Sequence, residues 1–229
     1  MNKLYTAVGR MEMHGRFASS RHPLVIVNGK EYLLDLQEMM LWSILNWRIL
    51  DEEEAFALYE RKEREVGYRS HRDYYDCLHR LMQRGLVADG YGETAAEALY
   101  DLLSGLYITP ISENVFLRLF SFVKLTLLSG VPYTVTKKIL CKDKRTDNEK
   151  KVMKLARQAL LSTAEIIKCV ELNRYSFRTE EQLLDTLYHD DITTSDNLAA
   201  LTRNLPMCRP ILSSVANLYL RKQIIFERL

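Results

Sequence analysis

The chain has few of the residues that interrupt helices, with nine glycines and five prolines among 229 residues. That scarcity argues against sandwiches, barrels and collagen-like repeats, which need frequent tight turns or a glycine period. Nor does one charge sign dominate. Lys and Arg number 32 against 30 Asp and Glu, a net of +2, which excludes a histone-like polycation and an acidic disordered tail. Cysteine is sparse: Cys77, Cys141, Cys169 and Cys208 are spaced 64, 28 and 39 residues apart, too far for a zinc knuckle. Thiols inside helical patterns act as small buried hydrophobes, and unpaired cysteines suit a reducing cytosol. Residues 1–20 lack the apolar core of a signal peptide. The longest greasy stretch, Val115 to Leu128, is broken by Arg118 and Lys124 and is too short for a bilayer. A cytoplasmic chain without a membrane span is expected.

Catalytic signatures are also missing. There is no phosphate-binding loop sequence, no dinucleotide fingerprint, no nucleophile elbow and no His-Glu-x-x-His. Gly90-Tyr91-Gly92 lacks a third glycine and reads as a turn. His189-Asp190-Asp191 is similar to the His-Asp pair of helical metal phosphohydrolases, but the other histidines, at 14, 22, 71 and 79, do not complete a ligand set. It reads as a polar helix end. No enzyme activity, metal or cofactor is expected.

What is there is apolar and helical. Apolar residues make up 47% and charged residues 27%, enough for a sizeable core. Residues 1–22 hold five charges and no sustained period, and read as an irregular arm. Leu24 to Val27, Asn28-Gly29 and Lys30 to Leu34 form a hairpin signal, because Asn-Gly supplies two positive φ angles. Asp35 and Glu38 have capping-box spacing before a helix over 36–50, greasy all round. A helix at about 52–65 follows, then one over 71–84 stopped by Gly85, a short helix near 95–103 and a strand at 106–109. The second half reads as nearly all helix: 113–129, 136–141, 147–172, 180–189, 196–204 and 210–229.

The segment 74–87 carries the clearest pattern. Leu78, Leu81, Gly85, Leu86 and Val87 make an amphipathic helix, a glycine stop and an apolar strand. This resembles the third helix and first wing strand of winged helix-turn-helix proteins, including PadR-like and MarR-like regulators. The resemblance implies a mainly α protein: a winged helix over 23–111, with a small hairpin and wing plus three helices, then an all-helical domain over 112–229. It further implies that Arg72, Arg80, Gln83 and Arg84 reach double-stranded DNA in the major groove, with Arg69 on a phosphate. Two features depart from the pattern. Residues 1–112 carry 13 basic and 17 acidic side chains, a net of −4, and the basic aromatic wing is absent.

The basic surplus lies elsewhere. Residues 137–157 hold nine basic and three acidic residues, so Lys144 and Arg145 are candidate phosphate contacts. The terminal helix read over 210–229 is apolar on two faces, which points to a homodimer through it and 113–129 or, alternatively, to a larger single core. Two functions follow as expectations: a dimeric DNA-binding transcriptional regulator, or a non-enzymatic adaptor whose winged helix binds a protein.

Overall fold

The computed structural model describes residues 1–14, 22–67, 71–111, 144–190 and 192–229. Among these residues, nine helices alternate with nine short strands arranged as three antiparallel three-stranded sheets. An N-terminal winged helix followed by an all-helical domain is therefore not the architecture. Strands occur at both ends of the chain and tie them together.

The supposed N-terminal arm is strand. β1 (Asn2–Ala7) and β2 (Arg10–His14) flank Gly9, whose φ of 85° permits the sharp turn between them. Tyr5, Thr6, Ala7 and Val8 are all buried, so β1 is a central strand with no polar face to reveal its period. β3 (His22–Val27) and β4 (Lys30–Leu33) form the expected hairpin, with Asn28 and Gly29 at φ 46° and 73°. β2, β3 and β4 make one sheet.

Asp35 and Glu38 close a capping box on α1 (Leu36–Leu45), which ends five residues before the expected position. The chain then turns through Trp47 at φ 56° into β5 (Leu50–Asp51) and α2 (Glu52–Val66). α3 (Tyr74–Gln83) stops at a Schellman turn, in which the Gly85 N–H donates to the Met82 carbonyl and Leu86 N–H to Leu81. β6 (Val87–Gly92) pairs along all of β1. The Gly90-Tyr91-Gly92 stretch is thus strand rather than turn. A Cβ at Gly90 would collide with the backbone of α4 (Ala95–Ser104) at Ala98 and Leu102, so these glycines permit close helix-on-strand packing.

The second half departs further. β7 (Tyr107–Pro110) is the centre of a sheet whose neighbours come from far along the chain, β8 (Leu161–Ser162) and β9 (Ile224–Glu227). The expected helix over 147–172 is two: α5 (Asp147–Ala156) and α6 (Thr163–Glu171), the latter started by a Ser162–Glu165 capping box. α7 (Glu180–Tyr188) and α8 (Ser195–Thr202) lie close to their expected spans. The terminal helix, α9 (Cys208–Leu220), ends in a turn with Lys222 at φ 59° and then becomes β9. Ile224 and Phe226 are buried in that strand, so the second apolar face that suggested a dimerising helix does not exist. The expected helices at 113–129 and 136–141 lie outside the described residues.

One core runs through both halves, with Tyr5, Trp42, Leu81, Ile108, Met153, Ile211 and Phe226 in the same cluster. Tyr219 joins the chain ends. Its hydroxyl donates to the Ala7 carbonyl at 3.2 Å, accepts the Trp47 N–H at 2.9 Å and lies 2.9 Å from the Thr6 hydroxyl. No described helix is long and apolar enough to cross a membrane.

Candidate functional site

α3 packs on α1 and β6 through Tyr74, Cys77, Leu78 and Leu81, which leaves its other face outward. The arginines expected to read DNA from this face turn back instead. Arg72 places Nη1 2.5 Å from Asp35 Oδ2. Arg80 Nε lies 3.2 Å from Glu38 Oε1, and Arg84 Nη1 lies 2.8 Å from Glu38 Oε2. Arg84 also donates to the Leu33 carbonyl at 2.6 Å and lies over the Tyr32 ring.

The anchor of this arrangement is Glu38, whose side chain is only 2% exposed. A buried carboxylate is costly unless paired and hydrogen-bonded, and two guanidiniums meet that need. Glu38 and Asp35 sit in the first turn of α1, where the helix dipole favours negative charge. Burial by itself would raise the Asp35 pKa. The Glu38 N–H and the Arg72 guanidinium outweigh it and hold the carboxyl below its usual range.

The outward surface of α3 is therefore unlike a basic recognition helix. Its exposed residues are Asp73, Tyr75, Asp76, His79, Arg80 and Gln83, and the one cation among them already holds Glu38. Gln83 is exposed, and Arg69 lies outside the described residues.

Beside α3 lies an aromatic cluster that sequence reasoning missed. Tyr75 stacks on Phe56 with centroids 6.4 Å apart, and Tyr74 meets Phe56 edge-on at 5.1 Å. Lys3 places its ammonium 5.0 Å from the Tyr5 ring centre and 4.9 Å from that of Tyr91. Glu52 Oε2 accepts the Tyr5 hydroxyl at 3.2 Å. Tyr75 is 53% exposed and Tyr91 41%, while the Tyr74 hydroxyl is buried without a partner. Burial works against the Lys3 ammonium, but the Tyr5 and Tyr91 hydroxyls prevail and raise its pKa above the lysine range. Lys3 stays charged and is no nucleophile near neutral pH. Its only sequence signal is alternation: Lys3 and Tyr5 share a strand face, and Tyr91 stands opposite Lys3 across the β1–β6 ladder.

Of the basic segment 137–157, Lys137, Lys138 and Lys142 lie outside the described residues, and the described part is dispersed. Arg145 Nε donates to Gln223 Oε1 at 2.6 Å beside β9, and Lys144 is exposed. Lys150 pairs with Asp147, and Lys151 lies over the Tyr175 ring. None of these is on α1 or β6, the elements against which α3 chiefly packs. His189 and Asp185 line an open cleft of about 450 Å³ along α7 with Arg174 and Phe177. Asp190 does not line that cleft. It accepts from Thr193 and pairs with Lys168 at 3.5 Å, and the Thr193 bonds chiefly hold its pKa down to about 2. No group of three metal-ligating side chains occurs among the described residues. Cys77, Cys169 and Cys208 are free and buried, and burial pushes the Cys77 and Cys169 thiols up to about 12.

Compared with known proteins, the chain matches no family model, no curated protein and no solved structure.

Proposed function

We propose that this chain is a non-enzymatic cytosolic adaptor that binds a protein partner through the outer face of α3 and the adjoining tyrosines. One observation carries the reading: Arg72, Arg80 and Arg84 are held by Asp35 and Glu38, whereas Asp73, Asp76 and Tyr75 face outward. A face with that charge repels a phosphate backbone, whose neutralisation by Lys and Arg drives DNA binding. Exposed tyrosines give large, rigid contact area at little entropic cost and are enriched at binding hot spots. The matching partner is a segment bearing arginine or lysine, which stacks on Tyr75 and pairs with Asp73 and Asp76. Buried free thiols agree with a reducing compartment.

A photo-crosslinking residue placed at Tyr75 or His79 tests this in cells. The expected result is a protein adduct that disappears when Asp73 and Asp76 are both changed to Lys. The same preparations are run against duplex DNA at low salt. Duplex binding that depends on Arg80 and Gln83, without a protein adduct, overturns the proposal and restores the DNA-binding reading.

A further inference from the structure

We propose that the cleft between α1 and α2 binds a small phosphate monoester with an apolar organic group. The cleft has a volume of about 320 Å³. Its wall is apolar, from Ile44 and Leu58, and its polar lining is Ser43, Arg48, Arg61 and Lys62, opposed by Glu65 alone. Arg61 lies 3.0 Å and Lys62 3.6 Å from the two Glu65 oxygens. Three cations against one carboxylate leave two positive charges, which matches a dianion better than a monocarboxylate. A phosphate monoester is mostly dianionic above about pH 6. The apolar wall favours an ester whose body is hydrophobic.

Arg48 is the residue that sets this cleft apart. Lys3, Arg10, Arg72, Arg80 and Arg84 each hold a carboxylate; Arg48, like Lys30 and Arg64, has no side-chain partner among the described residues, and of these three it is Arg48 that lines the cleft. Its backbone is nevertheless fixed. The Arg48 N–H donates to the Leu45 carbonyl, and its own carbonyl accepts the Thr6 hydroxyl at 2.8 Å. The preceding residue, Trp47, is held at φ 56° with its N–H on Tyr219. The turn fixes where the Arg48 stem starts, and its exposed, unpaired guanidinium is free to order on an anion that enters the cleft. The cleft is separate from the tyrosine face, because α2 turns Phe56 and Tyr59 towards Tyr74 and Leu58, Arg61, Lys62 and Glu65 to the cleft.

The test is a titration of the full chain with phenyl phosphate, inorganic phosphate and benzoate, followed by backbone amide NMR. Phenyl phosphate is expected to shift residues 43–48 and 58–65 saturably, with a Kd on the order of 1 mM or tighter. Benzoate should bind about tenfold more weakly, and phenyl phosphate affinity should fall below about pH 6 as the ligand loses a charge. Arg48→Ala and, separately, Lys62→Gln should each weaken binding about fivefold, while Glu65→Gln should strengthen it. Equal affinity for benzoate, unchanged affinity in both cation variants, or the absence of saturation each overturns the proposal.

Discussion

Replacing Glu38 should damage this protein more than any substitution among the arginines it holds. Its carboxylate does three things at once: it accepts from Arg80 and Arg84 and from the Asp35 N–H, completing the cap of α1. Loss of a capping interaction costs about 1 kcal/mol. Removing the buried acceptor strands Arg84, which is 28% exposed, whereas Arg80 at 51% can rehydrate. A fully buried broken pair costs roughly 3–5 kcal/mol, and this partial exposure brings that share to about 1–2. Glu38→Ala should therefore lose about 2–3 kcal/mol, or a Tm decrease on the order of 4–12 °C for a chain of this size. Glu38→Gln keeps the volume and one acceptor and should lose about half as much. Urea unfolding of the parent, Glu38→Gln, Arg84→Met and the double variant measures the coupling directly, expected near 1 kcal/mol or above. A Glu38→Ala variant within about 0.5 kcal/mol of the parent would refute the reasoning, since buried charge pairs could not then organise α3.

Tyr219→Phe removes the hydroxyl that receives the Trp47 N–H and reaches Ala7, and should cost about 1–3 kcal/mol in chemical unfolding. No measurable loss would mean that the chain ends are not held together there. Acid should weaken the fold below about pH 4. Asp190, held down to about 2, and Asp35, also lowered, stabilise the fold above the ordinary Asp range, and that contribution is lost as pH falls through their folded values. The urea midpoint should drop between roughly pH 4 and 2, and Asp190→Asn should flatten that dependence; an identical slope in the variant would remove Asp190 as a contributor.

How much of this fold the sequence discloses depends on whether a signal is local. The Asn28-Gly29 hairpin, the Asp35–Glu38 capping box, the Gly85 stop and the helices near 52–65, 74–83, 95–104 and 180–188 are all legible, because turn chemistry and caps act within a few residues. β1 is not, since its second half is buried on both faces, which leaves too short a stretch of alternation to mark a strand, and its partners lie about 45 and 85 residues onward. β9 is hidden differently. Lys222, not glycine, takes the left-handed position after α9, so the apolar run Ile224 to Phe226 reads as a continued helix. At α6 the cue was present: Ser162 and Glu165 have capping-box spacing inside what reads as one long helix.

The site fails to declare itself for a related reason. On a helical projection of 71–84 the arginines gather on the face away from Leu78 and Leu81, but only Arg80 lies within α3, since Arg72 precedes the N-cap Asp73 and Arg84 is the C-cap. Projection treats the far face as solvent, but Asp35 and Glu38 belong to another helix that packs alongside it. Both carboxylates were visible as a capping box, a role that uses one oxygen and leaves the other free for a guanidinium. The charge that α3 offers to a partner is therefore decided by α1. Subtracting the paired arginines changes that face from basic to acidic, which is the difference between a nucleic-acid surface and a protein surface. The same subtraction leaves Arg48, on the turn after α1, as a cation of the α1–α2 cleft with no side-chain partner among the described residues.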